Sequence, residues 1–443
     1  MNDSYSLLLI DGKKVIGVRG DEANISNVVV PGEVEAIGRS AFATCTALTS
    51  ITFPESLVRI GHGAFQGCAG LASIALPGSL TTIDERAFAA CDNLTSVTLP
   101  ESLTTIGFQA FTSCAGINSL TLPESLTRVD NYAFAGCTGI TSLTVPGSLI
   151  SIGEALFVGC TGITSLTLSE SLTSIGDGQF SSCNGITSLT LPKMLTSIGS
   201  QAFTMCTGLT SLTFSESLTS IGQVAFAGCK NLTLTTLPKS LTSVGAYAFT
   251  TCNGITSLTL PKMLLNAGAF LRCAGLTSLT LSDGVKSVGG TAFAGCTALT
   301  ALALPESLMS VESQTFAQCT GITSLTLPGS LTHVGDGAFA ECTGLTSISL
   351  PDTLKNFGQL VFQGCTSLSS VVFRPPVGRG AFIAWAVGNM RNRANWYRTS
   401  LRELSGVLHL VTVLALERRD VATVDPGGEN HVFQSCTSLV FEK

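Results

Sequence analysis

Cys137-Thr138-Gly139-Ile140-Thr141-Ser142-Leu143-Thr144-Val145-Pro146-Gly147-Ser148-Leu149-Ile150-Ser151-Ile152-Gly153-Glu154-Ala155-Leu156-Phe157 decides the fold, because Cys160 soon follows and the same order begins again. Leu143 and Val145 alternate with Ser142 and Thr144, the period-2 pattern of a half-buried strand. Proline has no N–H for another ladder bond, so the strand is expected to stop at Pro146. Leu149 and Ile152 form a second short apolar pair, and Gly153 behind them suits a turn that needs positive φ. The remaining stretch to Cys160 is too short for a true helix and predicts a single helical or 3₁₀ turn.

Read outward from this unit, the cysteines keep its beat. Nine successive intervals from Cys45 to Cys252 are 23 residues long, one of 21 leads to Cys273, and four more of 23 reach Cys365. Phenylalanine precedes each of these cysteines by three positions, from Phe42 to Phe362. The 21-residue interval reads as a loss of two residues between Gly268 and the Ala269-Phe270 pair. Fixed self-similarity at this period marks a solenoid. One such unit cannot bury its apolar face alone, so neighbouring coils must supply the core. Strand spacing of about 4.8 Å would give fifteen coils a rod or arc roughly 70 Å long on its strand face. The composition agrees: 45% of the 443 residues are hydrophobic and only 12% charged, which excludes disorder and suits a tube with an apolar lining.

The unit from Leu94 to Cys114, Leu-x-x-Leu-x-Leu-Pro-x-x-Leu-x-x-Ile-Gly-x-x-Ala-Phe-x-x-Cys almost unaltered, resembles the BspA-like (Treponema pallidum-type) leucine-rich repeat over residues 24 to 373. The resemblance implies a right-handed horseshoe or arc with a parallel sheet on one face. It also implies adhesion or protein binding, often at cell surfaces. The expected organisation is an N-terminal cap over residues 1–23, a solenoid of about fifteen coils over 24–373, a helical insertion or cap over 374–430 and a stray repeat over 431–443.

The columns carry the functional expectations. The position seven after each cysteine is threonine in eleven of fifteen coils, and the position two earlier is serine in thirteen, failing at Leu234 and Ala301. This outward Ser-x-Thr face, represented by Ser142, Thr144, Ser165, Thr167, Ser188, Thr190 and Thr213, is the expected binding surface for a protein or glycan. A hydroxyl-and-methyl array could alternatively match ice or another ordered lattice, while β-propensity alone would also favour threonine there. The column beside the proline is acidic, as at Glu55, Glu101, Glu124 and Glu170, with Lys193, Lys239 and Lys262 interrupting it. The cysteine column reads as buried small hydrophobes, because a line of single thiols neither converges on a metal nor presents bridgeable pairs.

Catalysis finds no motif. His62, His333, His409 and His431 are scattered, and neither a phosphate-binding glycine loop nor a Gly-x-Ser-x-Gly elbow occurs, so no catalytic residue, metal site or cofactor is expected. A net charge of −6 argues against a nucleic-acid partner. No apolar run is long enough to span a bilayer, and the N-terminus shows no basic stretch before its Leu7–Ile10 run, so neither a membrane span nor a signal peptide is read. A monomer is expected, with an intracellular place favoured over the surface placement that the resemblance implies. The tail breaks the rhythm: residues 374–443 carry a net charge of +3 and both tryptophans. Two helices are predicted there, over 380–389 and from Ser400 along Leu401, Leu404, Leu408, Val411 and Ala415. Trp385, Trp396 and Arg398 are its docking candidates, should the segment do more than cap the stack.

Overall fold

The computed structural model describes residues 7–19, 25–148, 151–262, 264–351, 353–374 and 440–441. The tail helices predicted over 380–389 and 400–415 lie outside the described residues, and among the described residues there is no α-helix. The chain divides into two compact units, Met1–Thr233 and Leu234–Lys443.

Each coil is a β-solenoid turn, and the predicted strand is only one of its two ladders. The first is the Ser-x-Thr strand: Ser142–Val145 pairs in parallel with Ser165–Leu168, Ser142 opposite Ser165 and Leu143 opposite Leu166. The second is a two-residue strand built on the Leu-x-x-Ile segment, as where Thr105–Ile106 pairs with Arg128–Val129. Two residues are too few to show a period, which is why the second ladder is invisible in the sequence. In the first unit it is nevertheless the longer one. It runs from Leu8–Asp11 and Lys14–Val18, an antiparallel hairpin, through six parallel strands to Ser151–Ile152. The first-strand ladder of that unit is interrupted instead. It falls into Asn27–Val29 with Ser50–Thr52, Ser73–Ala75 with Ser96–Thr98, a three-stranded group from Ser119 to Leu168, and Ser188–Thr190 with Ser211–Thr213. In the second unit, Ser257–Leu260, Ser278–Leu281 and Ala301–Ala303 form one first-strand group, and Ser324–Thr326, Ser347–Pro351, Ser370–Arg374 and Val440–Phe441 form another.

The third side of the coil is not the helical turn that its length suggests. Successive i→i+3 turn bonds do form, as from Ala43 N–H to Ser40 O at 3.1 Å and from Cys45 N–H to Phe42 O at 3.2 Å. The alternate N–H groups leave the coil: Phe42 donates to Ala64 O at 2.8 Å and Thr44 to Gln66 O at 2.7 Å. A segment that gives every second N–H to its neighbour cannot wind into a helix. The backbone becomes left-handed at Ser40 (φ 51°) and Thr44 (φ 59°) to aim them.

This geometry corrects the reading of the glycine column. φ turns positive at Ala155 (53°) and Gly159 (73°), not at Gly153. Most coils place glycine in this column, where the preceding coil passes close. A Cβ on Gly107 would sit 2.5 Å from Glu85 N, and one on Gly61 would sit 2.7 Å from Ile37 O. Asp84 and Asp130 occupy the same column and turn their carboxylates to Arg59 and Arg128.

The short coil also departs from expectation. Ser243–Val244 pairs with Leu264–Leu265, and Tyr247 N–H bonds Ala267 O, so Gly268 (φ 65°) takes the left-handed turn position of Tyr247. The two missing residues therefore lie between Pro261 and Leu264, in the connection between the strands. That is where residues can be lost without shifting a ladder pair.

Inside the coils, like stacks on like. Leu143, Val145 and Ile140 are buried, as are all fifteen cysteines from Cys45 to Cys365, none in a disulfide. Phenylalanine rings stack coil upon coil, with a spacing that varies along the column. Where Ala precedes, from Phe42 to Phe134, ring centroids lie 5.1–5.2 Å apart. Leu156 and Gln179 replace it in two successive coils, and the spacing opens to 5.6 and 5.7 Å. Gln179 is 3% exposed, and its side-chain amide donates to Gly153 O. A void about the size of one water lies beside it, lined mainly by Leu156, Phe157, Leu172 and Phe180.

Candidate binding surface on the first-strand face

Strand alternation turns Leu143 and Leu189 inward, and so it must turn their neighbours out. Ser142, Thr144, Ser165, Thr167, Ser188, Thr190 and Thr213 are all exposed. Parallel pairing sets Ser142 beside Ser165, Thr144 beside Thr167 and Thr190 beside Thr213. The seven are split between two ladders, because Ser165–Leu168 and Ser188–Thr190 belong to different groups.

The hydroxyls of the coil are not equivalent, and this distinction escapes the sequence. Threonine four residues after cysteine is as regular as threonine seven after it. The former spends its hydroxyl on the fold: Thr141 Oγ1 donates to Asn118 O at 3.0 Å, Thr164 to Thr141 O at 3.2 Å, and Thr210 to Thr187 O at 2.9 Å. Ser79, Ser102 and Ser125 do the same beside the second ladder, donating to Leu57, Leu80 and Leu103 carbonyls at 2.7–2.8 Å. Among the described residues, the seven first-strand hydroxyls have no hydrogen-bond partner within the protein. Their outer donors and acceptors are available to something else.

The column is not open throughout. In the coil after Cys229, Leu-Thr-Thr replaces Ser-Leu-Thr, and Leu234 turns inward to 7% exposure. That one-residue slip flips the alternation. Only isolated bridges remain on either side, Ser211 with Thr233 and Thr236 with Thr259. Ser349, expected to face outward, is 8% exposed, and its hydroxyl has no partner.

At the rim, carboxylates serve the fold as much as the solvent. Glu306 accepts the Gly329 N–H at 2.9 Å, and Glu170 accepts the Lys193 N–H at 3.4 Å. Lys193, Lys239 and Lys262 are exposed.

The cysteine column is further from chemistry than burial alone would make it. From Cys68 on, sulfhydryls along the column donate to the phenylalanine carbonyl one coil back, as Cys68 to Phe42 O at 3.0 Å and Cys160 to Phe134 O at 3.2 Å. Loss of hydration pushes the Cys160 and Cys206 thiols up to about 12. Among the described residues, no three His, Cys, Asp or Glu side chains gather as metal ligands, and no helix is long and apolar enough to cross a membrane. Trp385, Trp396 and Arg398 lie outside the described residues.

Comparison with known proteins follows the same architecture. A family model described as "BspA type Leucine rich repeat region (6 copies)" matches residues 21–141, 127–256 and 263–382. The crystal structure of a leucine-rich repeat protein from Bacteroides ovatus is similar at 28% identity and a TM-score of 0.67, covering 81% of this chain and 89% of that one. A leucine-rich cell surface protein from Faecalibacterium prausnitzii is similar at 24% identity and a TM-score of 0.44, over 85% of this chain and 96% of the other. No curated protein matches the chain.

Proposed function

Because the chain belongs to the BspA type leucine-rich repeat family, we propose that it is a non-enzymatic scaffold that recognises a protein or glycan through its first-strand face. The uncommitted hydroxyls carry this reading. Among the repeated hydroxyls, the seven named on the first strand are exposed and unbonded, while those beside the second ladder and at the strand entrance are consumed by coil-to-coil bonds. Each hydroxyl contact contributes only about 0.5–1.5 kcal/mol, so affinity would accumulate over several coils.

An ordered lattice such as ice fits the face less well. A rigid lattice needs an unbroken array, whereas the ladders change group every two or three coils in the first unit, and the column is interrupted by the buried Leu234. A flexible macromolecule can bridge such gaps.

The test is a triple variant, Thr144→Lys, Thr167→Lys and Thr190→Lys. All three side chains are exposed, so the fold should persist while the recovered partner is lost. Glu154→Lys with Ser200→Lys, on the turn side, should leave recovery unchanged. Loss with the second variant and retention with the first would refute the strand-face reading.

A further inference from the structure

The turn side carries a second, chemically distinct surface. The fifth residue before each cysteine is left-handed, a conformation in which glycine is unstrained and other residues are not. Glycine occupies that place at Gly63 and Gly178 in the first unit, yet Arg86 (φ 53°), Gln109 (φ 53°) and Tyr132 (φ 59°) hold it in three consecutive coils. Beneath them the sequence does not vary: Ala87-Phe88, Ala110-Phe111 and Ala133-Phe134 repeat unchanged. The ridge diversifies over a constant floor.

These side chains meet. The Arg86 guanidinium lies over the Phe108 ring, 5.9 Å from its centroid, and its Nε donates to Gln109 Oε1 at 2.9 Å. Phe108 meets Tyr132 edge to face, with centroids 6.1 Å apart and planes at 82°. Tyr132 remains 37% exposed. Glu85 stands 3.9 Å from Arg86, so the cluster is close to electrically neutral.

The backbone narrows the class of ligand. The N–H groups of Arg86, Gln109 and Tyr132 all donate to the next coil, to Phe108, Asn131 and Glu154 carbonyls at 2.9–3.2 Å. An extended peptide would therefore find no free N–H at these three positions. What the ridge offers is an exposed aromatic ring flanked by amide, carboxylate and guanidinium forks, without excess charge. That is the chemistry that takes a sugar: its C–H face lies on the ring, and its vicinal hydroxyls bond to the forks. We propose that the Arg86–Phe108–Tyr132 ridge is a binding site for a neutral glycan, with a sugar stacked on Tyr132 and its hydroxyls held by the Gln109 amide. This site is separate from the first-strand face and stands or falls without it.

Affinity electrophoresis of the full chain through gels containing a neutral β-glucan, a xylan or an α-mannan tests the proposal. At least one polysaccharide should retard the wild type. Tyr132→Ala should weaken that retardation about tenfold, and Tyr132→Phe should keep it within about threefold. Arg86→Ala provides a second ridge variant, and circular dichroism confirms that each remains folded. The Thr144→Lys, Thr167→Lys, Thr190→Lys protein should be retarded like the wild type. Three outcomes would each overturn the proposal: no retardation by any of the three polysaccharides, retardation indifferent to both ridge variants, or loss only in the strand-face variant.

Discussion

At the scale of single residues, cysteine and glycine act through the neighbouring coil. The Phe134 carbonyl accepts both the Cys137 N–H of its own coil, at 3.3 Å, and the Cys160 thiol of the next. A folded-state thiol pKa raised from 9.0 to about 12 means that thiolate forms first in the unfolded chain. Between those values the unfolded state holds fewer protons, so stability must fall as pH rises; below about 9 both states hold the proton and the dependence vanishes. The urea midpoint should be flat from about pH 7 to 8.5 and then decline steeply, since many thiols titrate together. An unchanged midpoint at about pH 11 would contradict the buried column. Thiol reagents should find few accessible sulfhydryls until denaturant is added. Glycine gives a paired prediction. Gly107→Ala, whose Cβ would lie 2.5 Å from Glu85 N, should destabilise by about 2–4 kcal/mol. Ala155→Gly, at φ 53°, should cost little or stabilise by up to about 1 kcal/mol. Urea unfolding of the two variants checks the signs.

At the scale of the strand and turn, legibility followed the length of the pattern. The first strand was readable because Leu143 and Val145 alternate with hydroxyls over four residues, and the phenylalanine and cysteine columns because buried side chains cannot drift. The second strand offered no period. The turn was misread as helical because residue spacing does not say whether Thr44 N–H bonds within its coil or reaches Gln66 O. Gly268 was matched by letter to the wrong column; only the Ser243–Leu264 pairing shows which position it fills. For the candidate face, Thr141 just before the strand and Thr144 on it are the same residue type, and only the Asn118 carbonyl separates the committed from the available one. The defect at Leu234 is an element-scale test. Leu234→Ser with Thr235→Leu restores the Ser-Leu-Thr order and should re-form a first strand there, raising stability by about 1 kcal/mol in thermal or urea melts. A lower midpoint would show that the buried Leu234 contributes more than the lost strand.

At the scale of the whole molecule, coils that lean only on their neighbours make stability local. Leu156 stands where most coils have alanine and is 1% exposed, beside the small void. Leu156→Ala should enlarge that void and remove about 2–5 kcal/mol from its surroundings. Hydrogen exchange should then accelerate in coils 130–180 while the coils around Phe42 to Phe88 keep their protection. Uniform acceleration through the first unit would instead reveal a single cooperative block.

The constant register of the ladders, residue i beside residue i + 23 as in Ser142 and Ser165, bears on how such a chain lengthens over generations. When the gene copies one unit in frame, the new coil arrives with its bonding partners already in place above and below, whatever unit was duplicated. Replication slippage, ruinous for most proteins, here yields another folded chain with one more copy of every surface column. A duplicated coil is then free to change its exposed residues while the floor beneath it stays fixed, as the succession of Arg86, Gln109 and Tyr132 over three identical Ala-Phe pairs illustrates. Reach and specificity can thus be inherited as separate traits.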